Sequence, residues 1–345
     1  MFYENIVANK RWNKALNGLF QRHEGASNSR YCWCHWFCWL LVDIYQEQFR
    51  IIGLSRSKMK RDPRPNVEWR QVEMYSLSSM VSATKGADFA LYLVHSMSPS
   101  TRLHQGNFED TDLLLADNFA RAARRNGLKQ IIFLGGLLPA GTKDYSRHLR
   151  SRLEVEQTLG STGVPTTALR AGIIVGPGGS SFQMIERLVA HLPIMVCPAW
   201  TQTQTQPIAL RDALRIINYC LGNEATYAKA IDIGGPEVTN YMEMLRTTAL
   251  VMGKKRWIWP LPFLPVGFSK LWVSLITRTD MELVGPLVES LEHPMIVRPN
   301  EVLIQITNRL TYEAAAADAL NRINDRPYLP ERVKENKERN TVRSI

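Results

Sequence analysis

Cysteine is sparse in this chain, with five in 345 residues. That density is too low for a disulfide scaffold, and no signal-peptide pattern opens the sequence, so a reducing, cytoplasmic setting is expected. Long apolar runs are also missing. The most apolar stretch, Trp257 to Ile276, is interrupted by Pro260, Pro262, Pro265 and Lys270. A spanning helix wants about 20 predominantly apolar residues, so no membrane span is expected. Glycine is scarce at the start, where the first 49 residues hold only Gly18 and Gly25. What is present is ordinary globular composition, 45% hydrophobic and 21% charged, which excludes collagen-like, disordered and coiled-coil chains.

Acidic residues are outnumbered, 32 to 42, giving a net charge of +10. Half of that excess lies in residues 50–70, where seven basic residues (Arg50, Arg56, Lys58, Lys60, Arg61, Arg64, Arg70) meet only Asp62 and Glu68. A nucleic-acid face would interleave aromatics with these charges, and only Trp69 does so. No nucleic-acid partner is expected. A solvated loop or a site for one phosphate accounts for the cluster.

From residue 50 onward, short continuous apolar runs alternate with helical periodicity. Arg50–Leu54, Phe89–Val94, Gln130–Leu134 and Pro165–Leu169 read as buried strands. Leu113–Asn126 and Leu149–Leu159 read as helices, each stopped by a glycine. The strands lack polar alternation, which is the mark of a parallel sheet covered on both faces. The expected class is therefore α/β, a Rossmann-like doubly wound parallel sheet with a smaller C-terminal substrate lobe. Ligands of such sheets bind beyond the carboxyl ends of the strands. Four bounds follow: an aberrant segment 1–48, a core 49–180, a lobe 181–330 whose part 207–235 returns to the core, and a charged tail 331–345.

A dinucleotide fold should show a glycine-rich turn after its first strand. In its place stands Tyr31–Trp39 (YCWCHWFCW), which holds three of the five cysteines and three of the nine tryptophans. Cys32, Cys34, His35 and Cys38 offer zinc-ligand atoms, but not the paired, separated halves of a structural zinc site, so no metal is expected. The genetic code gives a different account. Trp is TGG, and followed by T or C it becomes GGT or GGC, glycine, when read one base later. Cys32 to Trp39 read in that frame gives [Ala/Val]-Gly-[Ala/Val]-[Ile/Thr]-Gly-[Phe/Ser]-[Val/Ala]-Gly. Trp33, Trp36 and Trp39 thus become the three glycines of G-x-x-G-x-x-G without any choice of third base. Such glycines allow the tight turn and close approach to a pyrophosphate. Arg56 follows Trp33 by 23 residues, near the interval of about 20 at which a ribose-reading residue stands. Residues before about 40–48 therefore read as a frame-shifted translation. As written, the chain should lack a proper first strand and turn, leaving the sheet's central strand missing or badly replaced.

Six further segments form a set: Leu91–Met97, Ile131–Leu137, His148–Glu156, Leu169–Gly176, Thr205–Asp212 and Asp232–Glu237. With the frame shift allowed for, this set resembles the atypical short-chain dehydrogenase/reductases with an NAD(P)H-binding domain, the YbjT-like and NmrA-like branch, over about residues 50–330. Some members carry a further domain beyond the segment that Asn340–Ile345 resembles, so the resemblance implies a longer parent chain. It also implies that Ser55, Arg56 and Ser57 follow the second strand where an NAD enzyme keeps an acid. An arginine with two hydroxyls suits a 2′-phosphate, favouring NADPH over NADH; a solvated loop arginine is the other reading. Glu73 and Tyr75 would line the adenine pocket.

Val94, His95 and Ser96 would pass beside the phosphates and ribose. Gly135 opens Gly-Gly-Leu where the wider family keeps a catalytic Ser or Thr. Arg170, Ala171 and Gly172 would lie near the nicotinamide, and Gly176–Gly179 at the entry to the lobe. The usual Tyr-x-x-x-Lys is replaced by His148-x-x-x-Arg152. Arg can bind ribose hydroxyls and His can act as an acid near neutral pH; a purely structural pair is the alternative. Trp200, Gln206, Trp257, Trp259 and Phe263 would line an apolar pocket or form the lobe's core. Two functions remain open. One is an NADP-dependent reductase of a small apolar carbonyl or enone. The other is a non-catalytic NAD(P)-binding sensor or assembly factor.

Overall fold

The computed structural model describes residues 5–10, 45, 48–57, 64–95, 108–141, 145–261, 291 and 293–324. In chain order the first half comprises β1 (Asn5–Lys10), β2 (Phe49–Ser55), β3 (Val67–Gln71), α1 (Leu77–Ala83), β4 (Phe89–Tyr92), α2 (Phe108–Arg125), β5 (Gln130–Gly136), α3 (Arg147–Gly160) and β6 (Thr166–Ala171). The second half comprises β7 (Ile174–Val175), α4 (Ser180–His191), β8 (Ile194–Cys197), β9 (Gln204–Thr205), β10 (Ile208–Ala209), α5 (Leu210–Cys220), β11 (Ala230–Ile233), β12 (Thr239–Asn240), α6 (Tyr241–Val251), β13 (Trp257–Pro260), α7 (Glu301–Gln305) and α8 (Tyr312–Asn324). The main sheet has seven strands in the order β11-β6-β5-β4-β1-β2-β3. The neighbours β2 and β3, β4 and β5, β5 and β6, and β6 and β11 all pair parallel. This is the doubly wound α/β arrangement that the apolar strand runs predict.

The strands read as unbroken apolar runs because each face is covered. Ile52, Leu54, Ala90, Tyr92, Ile131 and Phe133 meet Met80 of α1, Leu115 and Phe119 of α2, and Val155 and Leu159 of α3. Residues of the opposite parity, among them Ile51, Leu91, Ile132 and Leu169, meet Leu214 and Ile217 of α5 on the other face. Helix α2 shows why a helix lies there. Leu115, Ala116, Phe119, Ala120 and Ala123 form one fully buried stripe, and burying one side chain of Phe119's size is worth about 1.5–3 kcal/mol. Glu109 and Asp110 in its first turn and Arg124 and Arg125 in its last suit the helix dipole. Gly127, at φ +67°, supplies the left-handed residue just beyond its end.

A second core joins Phe182, Leu188, Met195, Tyr241, Leu245, Tyr312 and Ala316, so α4, α6 and α8 pack together beside the sheet. Residues 208–233 return to the main body: β10 pairs with β7, α5 covers the sheet, and β11 forms its edge.

The centre of the sheet departs from the pattern. Asn5–Lys10 fills the slot between β2 and β4 and runs antiparallel to both. A segment expected to be aberrant thus supplies the central strand, in inverted direction. The physical reason is hydrogen-bond accounting: two parallel strands flanking an empty slot would leave two rows of buried N–H and C=O groups unpaired. Tyr31–Trp39 lies outside the described residues. Among the described residues, no helix is long and apolar enough to cross a membrane, and no group of three or more His, Cys, Asp and Glu could hold a metal.

Candidate functional site

Because β2 and β4 both oppose β1, they are parallel to each other, and β2 through β6 and β11 end on one shared edge. That edge carries most of the residues singled out above. Ser55 closes β2 rather than following it and is fully buried, while Arg56 and Ser57 beyond it are exposed. The Ser55 carbonyl accepts from the Val72 amide at 2.9 Å, and the Arg56 carbonyl accepts from Gln71 Nε2 at 3.2 Å. The turn is therefore anchored by its backbone, leaving the Arg56 side chain outward. After β4, Val94 is buried and His95 half-buried. Ser96 lies outside the described residues.

At β5 and β6, Gly135 stands opposite Arg170, and Gly136 opposite Ala171. A Cβ on Gly135 would come within 2.8 Å of the Phe133 ring, and one on Gly136 within 2.9 Å of Leu149. At Gly135 the Phe133 ring of the same strand takes the space a side chain would need, and at Gly136 the close packing of α3 on β5 does so. The Ala171 carbonyl accepts from Leu137 N at 2.8 Å. Gly172 follows without a side chain at the same edge. Arg170 points to α3, where its Nε and NH2 donate to the two carboxylate oxygens of Glu156 at 2.9 and 2.6 Å. A second forked pair lies beside it, with Arg298 NH2 donating to Asp232 Oδ1 at 2.8 Å.

The most concentrated chemistry lies where α3 begins. Ser146 caps the helix, its hydroxyl accepting from Leu149 N. His148 sits in the first turn and stacks on His95, with ring centroids 5.1 Å apart and planes 8° from parallel. One turn later Arg152, only 5% exposed, donates to the carbonyls of Val94 at 3.0 Å and Leu134 at 2.8 Å. Its guanidinium also lies 4.6 Å over the Phe133 ring. Asp112 of α2, 1% exposed, brings a carboxylate oxygen to 3.5 Å from His95 Nδ1 and 4.0 Å from Arg152 NH1. The structure therefore gathers Val94, His95, His148 and Arg152 into one cluster, and Asp112 joins them. Gly135, Arg170, Ala171 and Gly172 lie farther along the edge, Arg56 and Ser57 beyond the central slot.

Burial disfavours charge on both imidazoles. It holds His148 well below the usual histidine range, with the His95 ring and the Arg152 cation adding to the effect. The positive end of a helix acts in the same direction. His95 is lowered by burial first, with the nearby Asp112 carboxylate opposing and Arg152 assisting. At neutral pH the pair is uncharged. A neutral imidazole can donate one N–H hydrogen bond and accept another.

Asp112 was not anticipated from the sequence, although a signal exists. It falls on the same helical stripe as Leu115, Ala116 and Phe119, an acid on an apolar face. Of the expected lobe aromatics, Trp200 packs edge-on against Tyr241 at 5.8 Å. Trp257 and Trp259 are 64% and 58% exposed and stack on each other, so they join no core among the described residues. Gln206 bridges Gly235 O and Val297 N, and Phe263 lies outside the described residues.

No family model matches the chain. The auxiliary protein GraX of Staphylococcus aureus is 29% identical over 97 residues, 28% of this chain. The match spans about a third (32%) of that relative's length. Solved structures match far more of the fold. A nucleoside-diphosphate-sugar epimerase from Staphylococcus aureus superposes with TM-score 0.59 at 17% identity, covering 76% of this chain and 89% of the other. An NADPH-dependent quinone oxidoreductase from Escherichia coli, complexed with NADPH, gives 0.57 at 14%, covering 74% and 84%. The Bordetella bronchiseptica enzyme WbmH, in complex with NAD+, gives 0.58 at 12%, covering 84% and 95%. The chain has the Rossmann-like fold of these proteins, two of which are complexed with NADPH or NAD+; at such identities the likeness is one of fold, and function rests on the site.

Proposed function

We propose that this chain descends from, and in frame-repaired form is, an NAD(P)H-dependent oxidoreductase of the atypical short-chain type, acting on a small apolar carbonyl or enone. The observation that carries the reading is the shared carboxyl edge of β2, β4, β5 and β6, with exposed Arg56 after β2 on one side of the central strand and the His95–His148 pair after β4 on the other. In a doubly wound sheet that edge is where a dinucleotide lies. The fit to NADPH is partial. Arg56 and Ser57 suit a 2′-phosphate, and the absence of a side chain at Gly172 suits close approach. The sequence Tyr31–Trp39 does not suit a pyrophosphate, since it puts three indoles where three glycines belong. A nicotinamide cofactor would supply hydride; the chain's own contribution is to hold and orient.

The test is Arg56→Ala in the frame-repaired protein. A charge-assisted hydrogen bond is worth about 1.5–3 kcal/mol, so NADPH affinity should fall by roughly tenfold or more with NADH affinity little changed. Equal weakening of both would show that Arg56 does not read the phosphate. A second reading, a non-catalytic dinucleotide-binding protein, is favoured by Arg152, whose guanidinium donates to two backbone carbonyls at the position where the family keeps its catalytic lysine. NADPH oxidation with a panel of carbonyl compounds separates the two.

A further inference from the structure

The inference here deepens that reading of the edge and rests on it for its functional meaning. We infer that Asp112 is a positioning residue of the site: it anchors His95, and through the stacked rings it fixes the orientation of His148. Three observations converge. Asp112 is 1% exposed, so its carboxylate faces protein rather than water. Its Oδ2 lies 3.5 Å from His95 Nδ1 and 4.0 Å from the Arg152 guanidinium. The His95 ring in turn lies flat against His148. The chain of contact runs from α2 through the end of β4 to the first turn of α3.

The chemistry of the arrangement is specific. At 3.5 Å the Asp112 carboxylate acts on His95 Nδ1 electrostatically and without a formed hydrogen bond; it favours the tautomer with the proton there, which leaves Nε2 as an acceptor. Among the described residues, His148 Nδ1 is buried with no hydrogen-bond partner, and so is His95 Nδ1. A buried polar atom in that state costs roughly 1–3 kcal/mol unless it is satisfied, which fits a group kept for the oxygen of a ligand. Among the described residues the charged neighbours of the pair include Asp112 and Arg152 directly, with the Arg147–Glu109 ion pair nearby on the same two helices. Asp112 favours the protonated form of His95; Arg152 disfavours it on both rings. The pair thus works as neutral hydrogen-bonding groups, and no proton need be delivered from an imidazolium.

The test needs neither cofactor nor substrate, so its outcome is independent of whether the chain binds NADPH. The seven histidines are labelled with 15N and titrated by long-range proton–nitrogen correlation, with His95 and His148 assigned by single substitutions. Asp112→Asn should lower the His95 midpoint and remove the cross-relaxation between the two rings. His95→Phe keeps a ring against His148 but removes the second titrating group, and should raise the His148 midpoint. If Asp112 only ties α2 to α3, Asp112→Asn will change thermal stability and leave both midpoints and the ring contact as they were; that result overturns the inference. Should Asp112→Asn not fold, an unmoved His148 midpoint in His95→Phe overturns it instead.

Discussion

His148 stands where the reductase reading would put a proton donor, yet its surroundings hold the imidazole neutral. Its folded-state midpoint lies well below the ordinary 6.5 because of burial first, and then His95 and Arg152. The consequence for stability has a definite sign. Below about pH 6.5 the unfolded chain binds a proton that the folded chain refuses, so unfolding gains ground as the medium is acidified. The contribution is intact above that pH and is lost progressively as pH falls towards the folded midpoint. Urea midpoints at pH 7.5 and 5.5 should differ less in His148→Phe than in the parent; an equal difference would assign the acid sensitivity elsewhere. Gln130 shows the same economy with polar groups. It is fully buried at the start of β5, and its side chain donates to Thr167 Oγ1 at 2.8 Å and Cys220 O at 3.0 Å and accepts from Gly222 N at 2.8 Å. Gln130→Leu would strand several of these partners at about 1–3 kcal/mol each. We expect a loss of that order or more in urea unfolding, against near-neutral change for an exposed Gln such as Gln204.

At the scale of elements, α3 is held to the sheet by fit and by charge together. Gly136 lets Leu149 approach β5, and Glu156 receives both nitrogens of Arg170 from β6 with only 15% and 12% of the two side chains exposed. Removing one partner of a pair at that depth should cost about 2 kcal/mol, between surface and fully buried values. Glu156→Ala should therefore lower the unfolding midpoint and also loosen Arg170, visible as faster amide exchange at the β6–β11 end. Unchanged exchange there would show that backbone pairing alone sets the edge. These elements were largely legible in the sequence, because β4, β5 and β6 are apolar without alternation and Gly127 marks a helix end. The forked ion pairs were not. Arg170 reads in sequence as a residue after a strand, and nothing local says that Glu156, fourteen positions earlier, turns to meet it. The start of α2 was missed for a related reason: Asp112 looks like loop chemistry until the stripe it shares with Leu115 and Phe119 is extended backwards.

For the molecule as a whole, the direction of the central strand decides what the shared edge can hold. A pyrophosphate turn must leave a strand whose carboxyl end points to that edge, so that free backbone N–H groups at the following helix face the phosphates. β1 leaves the sheet at the opposite end, where Lys10 pairs with Phe49 at the beginning of β2. The strand that fills the slot thus satisfies the sheet's hydrogen bonds without offering the turn. The shifted reading of Cys32–Trp39 supplies the missing piece: three glycines in the required spacing, preceded by a β-branched Ile or Thr from Tyr31. In the frame as written, an indole at a left-handed glycine position would be strained and would occupy phosphate space. We expect the chain as written to bind NADPH weakly or not at all. A version carrying the shifted frame up to Trp39 should bind in the micromolar range, about −8 kcal/mol. Fluorescence titration of both proteins with NADPH measures this directly. Tight binding by the unaltered chain would show that an inverted central strand still supports the cofactor. Coding DNA whose shifted codons lack the three glycines would remove the argument at its root.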